Sequence, residues 1–304
     1  MSAASATQPV ESQSHEIRLN AVLQLALINI LWGASSVASK TALMAFGPFT
    51  LTFVRFAPAG LILLLLARLR RRLPPIARED LWLFLALGGI GIAATYGIFY
   101  FGLQRTTATD ASLLFACEPI LIALFGYLFL KERLSWLQWT GFLVGITGIW
   151  LIAGRALGDW LALAGLACEC CVSVPAKRLA MRYPGLLVVA YEMLIGAALM
   201  LPLALWEWHH HPHEVSLRPL AALAFLSLVC SVFCYGIWYR LLSRHAISQM
   251  GVFILLQPLL GPLYGHFLRG EALRTNTLIG ALLVFCGIAL TIYRKRSSAD
   301  SLRG

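Results

Sequence analysis

Ten stretches of this 304-residue chain are each long and apolar enough to cross a lipid bilayer, which leaves few folds open. A helix needs about 20 apolar residues to span the hydrocarbon. In lipid, every backbone polar group must find its partner within the spanning structure. The stretches cover 20–40, 48–67, 81–101, 107–130, 135–153, 159–177, 186–206, 218–240, 246–268 and 274–293. Polar separators run from Arg70 to Asp80 and from Trp208 to Pro219, and no loop can hold a soluble domain. Composition agrees: 59% of the residues are hydrophobic and 12% charged, against about 25% charged in soluble domains. Disordered chains are polar and are excluded. The seven cysteines are odd in number and lie in apolar runs. They read as small membrane residues, not as a disulfide framework.

Orientation follows from the cations. With the N-terminus in the cytoplasm, 17 of the 24 Lys and Arg residues fall in inner segments and six in outer ones; Arg55 lies inside a span. That bias predicts cytoplasmic termini. It also accounts for the net charge of +10 without a nucleic-acid partner. Residues 1–19 show no basic-then-apolar leader pattern and read as a flexible cytoplasmic tail, and 294–304 as a basic one.

Shifted by 139 residues, the sequence matches itself. Tyr96 to Arg105 lies over Tyr235 to Arg244 with six of ten residues identical. In the same register Pro119 meets Pro258, Gly126 meets Gly265, Glu132 meets Glu271, Gly141 meets Gly280 and Gly148 meets Gly287. The chain therefore reads as two five-span repeats, 20–153 and 159–293. Five is odd, so the second half enters the membrane from the other side. The expected fold is an all-α integral membrane protein of ten transmembrane helices in two inverted five-helix repeats. Such folds suit secondary transporters, with the site at the repeat interface near the midplane.

Trp32-Gly33 in the first span, Glu118-Pro119 in the fourth, and the Lys131-Glu132 and Gly270-Glu271 acids after spans four and nine resemble the EamA-type members of the drug/metabolite transporter superfamily. The resemblance covers nearly the whole chain. It implies an inner-membrane carrier that exports small metabolites, often amino acids, and implies no particular substrate.

Ionisable groups within spans are functional candidates by default. Here they are Arg55, Glu118, Glu169 and Glu192. Pro119 has no N–H for the carbonyl of Phe115, so a kink is expected beside Glu118. The second half repeats the break at Pro258, with Gln257 in place of the acid. Glu118 and Gln257 either meet substrate or a coupled proton, or serve a structural kink. Glu118 and Glu192 are the proton-coupling candidates, since burial raises a carboxyl pKa toward neutrality. Glu192 and Arg55 sit at related depths and alternatively read as interhelical glue or snorkelling groups. Glu169 lies among Cys168, Cys170 and Cys171, but consecutive helical residues diverge, so no metal site is expected.

Tyr96 and Tyr100 are four apart and share a helix face; Tyr235 and Tyr239 repeat them. With Trp32 and Trp238 they are expected to wall a substrate cavity suited to apolar or cationic groups. Tyr100 and Tyr239, near span ends, fit an interfacial aromatic belt equally well. The segment His209 to His213 reads as a solvated outer loop. Glu132 and Glu271 are expected to pair with neighbouring cations.

No GxxxxGK[ST] stretch, HExxH or Ser/His/Asp set occurs, so no cofactor, metal or catalytic residue is assigned. The leading reading is a secondary active or facilitative transporter that exports small metabolites such as amino acids by alternating access. It is expected as a monomer or weak homodimer whose partners are a small-molecule substrate and membrane lipid. The alternatives are a multidrug or toxic-cation exporter, a membrane-embedded enzyme and a non-transporting scaffold.

Overall fold

The computed structural model describes residues 19–70, 73–121, 124–125, 136–154, 156–210, 215–245, 250 and 253–300. Among them every regular element is helical. Six helices are long and apolar enough to cross a membrane: α1 (Leu19–Ala42), α2 (Pro48–Leu69), α3 (Arg78–Leu103), α6 (Leu157–Arg182), α7 (Gly185–His210) and α8 (Leu217–Leu242). The described parts of the others are α4 (Ala108–Leu114), α5 (Trp136–Ala153), α9 (Leu256–Arg269) and α10 (Thr275–Asp300). Lys131, Glu132 and Arg133 lie outside the described residues, as do parts of the expected fourth and ninth spans.

Packing follows the repeat. Helix α2 lies along α7, α4 against α9, and α5 along α10, so each pairs with its mate in the other half. Each pair is antiparallel. Thr50 at the start of α2 meets Ala204 and Glu207 near the end of α7. A Cβ on Gly148 would lie 2.5 Å from the Gly280 carbonyl, and one on Gly287 would lie 2.6 Å from the Gly141 carbonyl. Gly141 and Gly280 are repeat mates, and so are Gly148 and Gly287. The contact is therefore isologous, each patch meeting its own image. Lipid tails are as apolar as leucine, so helices associate here through such close backbone approach.

Irregularities also recur at corresponding places in the two halves. A π-helical stretch occupies Leu87–Ala94 in α3 and another Phe225–Tyr235 in α8. Helix α1 breaks at Ala34 and α6 at Val172. The fourth rod narrows to a 3-10 turn at Phe115–Cys117 before helix resumes at Glu118. The ninth has a turn at Leu255, the mate of Ala116. Both breaks lie just before the proline that removes a backbone donor.

Several helix ends are closed by charged groups from other parts of the chain. Lys40 donates to the carbonyls of Leu103 at 2.6 Å, Gln104 at 3.2 Å and Thr106 at 2.5 Å, at the end of α3. Lys177 donates to the carbonyls of Leu242 and His245, the mates of Leu103 and Thr106. Glu207 accepts from the Thr50 amide of α2 at 2.8 Å. Glu271 accepts from the amides of Ala108 at 3.1 Å and Thr109 at 2.8 Å, and from the Thr109 hydroxyl at 2.7 Å. Each sign suits the helix dipole: ammonium at C-termini, carboxylate at N-termini.

Two local expectations change. His209 and His210 form the last turn of α7 and not a loop; His211 and His213 lie outside the described residues. Glu207, just beyond the expected seventh span, is buried because its carboxylate is needed at the start of α2.

Candidate functional site

Two aromatic ladders meet at the centre of the bundle. After each π-helical stretch the chain returns to α-helix, and Tyr96 and Tyr100 on α3 face Tyr235 and Tyr239 on α8. The Tyr96 and Tyr235 hydroxyls are 2.6 Å apart. Tyr235 donates its proton to Glu169 on α6 at 3.3 Å. Either hydroxyl can donate in the bond between the tyrosines. Trp32 on α1 packs edge-on against Tyr235 at 5.2 Å and Trp238 at 5.7 Å. Its indole N–H donates to the Cys230 carbonyl, within the π-helical stretch of α8, at 3.0 Å.

The outer rungs are deep. Tyr100 is 0% and Tyr239 3% exposed, so neither belongs to an interfacial belt. Tyr100 accepts from Arg55 Nη1 on α2 at 2.5 Å. Tyr239 donates to Glu192 on α7. Each outer tyrosine thus meets a charged group on the mated helix pair, a cation in one half and an acid in the other.

All of these groups line one cavity. It encloses about 140 Å³ and is walled by Trp32, Tyr96, Tyr100, Tyr235, Trp238 and Tyr239, with Glu118 and Gln257 from the two broken rods. A void of about that volume holds one benzene-sized group. Gln257 donates to Asn29 of α1 at 2.9 Å. Glu118 is buried and makes no hydrogen bond or ion pair among the described residues. Pro119 and Pro258 stand one residue behind, where they set the breaks.

Sequence reasoning left Arg55 and Glu169 without a place, yet both line the cavity. Arg55 is 2% exposed and does not snorkel. Its guanidinium carbon lies 4.6 Å from the Phe56 ring centroid and 4.8 Å from that of Tyr96. No ion pair joins it to Glu192 among the described residues; those present are Arg182 with Glu79 and Asp80, and Arg269 with Glu271. Asn29 and Ser231 carried no sequence signal, being ordinary polar residues in apolar spans.

The frame is symmetric and the charges are not. Glu118 answers to Gln257, and Arg55 and Glu192, which bond the mated Tyr100 and Tyr239, carry opposite charges. A second, more open cavity of about 660 Å³ lies at the helix ends around Lys40, Asp110, Asp159 and Arg274. It contains none of the residues singled out above for the site. No group of three or more metal-ligating side chains occurs among the described residues.

Outside the spans, Glu271 is held below the ordinary carboxylate range. Burial pushes its carboxyl up, but the Thr109 hydroxyl, the Thr109 and Ala108 amides and nearby Arg269 more than offset that. Arg269 Nε approaches Glu271 to 3.5 Å.

The EamA-like transporter family profile matches residues 19–154 and again 156–293. A protein from Archaeoglobus fulgidus named as an uncharacterized transporter is 27% identical over 280 residues, covering 88% of this chain and 96% of the relative. A Streptantibioticus cattleyicolor protein, named as a probable terminal-alkyne amino-acid exporter, is 28% identical over 292 residues, covering 92% and 97%. A solved crystal structure shares the fold with a TM-score of 0.65 at 23% identity, covering 92% of this chain and 99% of the other. With both halves matched by one family and six helices able to span a bilayer, the chain is a multi-pass membrane protein of the EamA-like transporter family.

Proposed function

We propose that this transporter exports small metabolites, amino acids first, by alternating access through the central cavity. On this reading residues 20–153 and 159–293 are inverted five-span halves, ten spans in all. Both termini are cytoplasmic, the membrane is the bacterial inner membrane, and a monomer suffices. Trp32, the four tyrosines, Trp238, Glu118 and Gln257 contact the substrate. Glu118 and Glu192 are the groups through which a proton would be coupled.

One observation carries the reading: repeat mates Tyr96 and Tyr235 touch at 2.6 Å inside the cavity. The site then lies on the axis relating the halves, where rocking one half against the other exposes it to either side. The antiparallel mated helices support the inversion. The Streptantibioticus relative's name supports amino acids as the first class to test. A cavity of about 140 Å³ favours small cargo, because drug-sized ligands occupy roughly 300–1,000 Å³. A toxic-cation exporter remains the second reading, favoured by three carboxylates and a ring of aromatics facing one cavity.

The test uses purified protein in liposomes loaded with labelled amino acids. Saturable efflux by wild type that is lost in Glu118→Ala supports the reading. Absence of efflux for every amino acid from folded protein, with efflux of organic cations, transfers the site to the second reading.

A further inference from the structure

We propose that Arg55 is the anion-receiving residue of the cavity, and that a ligand must bring both an anionic group for Arg55 and a cationic group for Glu118 and Glu169. The proposal rests on the carrier reading above and assigns roles within it.

Arg55 is the only cation lining the cavity among the described residues. Its Nε donates to the Ser231 hydroxyl at 3.0 Å and its Nη1 to Tyr100. Its Nη2 makes no hydrogen bond among the described residues. A buried guanidinium is normally paired with a carboxylate, because desolvation costs more than neutral hydroxyls and ring faces return. Three carboxylates line the same cavity, yet none lies within ion-pair distance of Arg55. The charges are held apart. The Tyr96 ring lies beneath the guanidinium, its hydroxyl meets Tyr235, and Tyr235 meets Glu169. The tyrosine pair thus stands between a cation short of an anion and acids short of a cation.

Glu118 completes the arrangement, with no partner among the described residues. A planar guanidinium held at Nε and Nη1 presents its remaining donors to a carboxylate or similar planar anion. A small ligand with opposite charges at its ends satisfies both poles at once. A simple organic cation leaves Arg55 unpaired, and a simple anion leaves the acids facing one another.

The test reads intrinsic fluorescence of purified full-length protein, since Trp32 and Trp238 line the cavity. The probes share one carbon skeleton: leucine, leucinamide, which lacks the carboxylate, and 4-methylpentanoate, which lacks the amine. Wild type should bind leucine at least tenfold more tightly than either analogue. Arg55→Gln should bring leucine and leucinamide to within about twofold, and Arg55→Lys should keep part of the preference. A merely structural arginine would lower all affinities together and leave their order intact. Equal binding of leucine and leucinamide by wild type, an unchanged preference in folded Arg55→Gln, or no leucine binding overturns the proposal. Should Arg55→Gln fail to elute as a single species, the wild-type order alone decides. Counterflow of labelled leucine and leucinamide in liposomes separates the two failures. Counterflow of both at equal rates sinks the role of Arg55 and leaves the carrier standing. Counterflow of neither removes both.

Discussion

The hydroxyl of Tyr96 lies 2.6 Å from that of Tyr235, although 139 residues separate them in the chain. Residues related by an internal two-fold can touch only at its axis. The pair therefore marks the point about which the two halves are arranged, and the cavity is built around it.

Only Tyr235 of that pair reaches Glu169, so its members should not be equivalent. Tyr235→Phe removes the proton donated to Glu169, whereas Tyr96→Phe removes only the proton shared with Tyr235. Each loss should cost about 0.5–1.5 kcal/mol of stability. Initial efflux rates should fall further in Tyr235→Phe. Equal rates in the two variants would remove Glu169 from the working site.

The lysine caps should be separable. Lys40→Met keeps the apolar stem and removes the ammonium from three carbonyls; Lys177→Met removes it from two. Each should lower stability by roughly 1–3 kcal/mol, with Lys40→Met the larger. The residues serve different helix ends and share no partner, so the double variant should be additive to within about 0.5 kcal/mol. Thermal melts in detergent give the order directly.

Two glycine substitutions should have opposite signs. At Gly148 a Cβ would stand 2.5 Å from the Gly280 carbonyl, so Gly148→Ala must push α5 from α10 and lower the melting temperature. At Gly97 the nearest atom would be 3.6 Å away, an ordinary contact. Gly97→Ala should then gain about 0.5–1 kcal/mol from reduced chain freedom. A stabilised Gly148→Ala would refute the close crossing.

Glu271 makes stability depend on pH. Its folded pKa is lowered, so its contribution is fully present above the unfolded glutamate value, about 4.3. As pH falls below that value the unfolded chain takes up a proton first, and the stabilisation is lost as pH passes the lowered folded pKa. Glu271→Gln should melt lower than wild type at pH 7, and the gap should close toward pH 3. A gap independent of pH would mean that the side chain acts by shape alone.

Much of this was legible because lipid and symmetry both leave strong marks on sequence. Hydropathy located α1 to α3 and α6 to α8, since nothing but a helix tolerates such stretches in a bilayer. The aromatic frame was legible because Tyr96, Tyr100, Tyr235 and Tyr239 obey the repeat. Arg55 and Glu169 do not: the 139-residue match does not extend over them, and Arg55 answers in the structure to an acid, Glu192, so symmetry gave no reason to bring them inward. The burial of Tyr100 and Tyr239 was equally hidden. Distance from a span end does not say whether a neighbouring helix covers the ring.

The mismatch between a two-fold frame and one-fold chemistry has a consequence for the proposed cycle. Two rocked conformations of a perfectly repeated bundle would be equal in energy, and cargo could not tell the compartments apart. Here the guanidinium sits in one half, with Glu192 opposite it across the axis. In the proposed cycle, opening toward one compartment would wet the guanidinium first, and opening toward the other would wet the Glu192 carboxylate. Half-saturation measured from the two faces of the membrane should therefore differ. The carrier would act as a rectifier in affinity, with its polarity written by Arg55 and Glu192 onto an otherwise reversible scaffold.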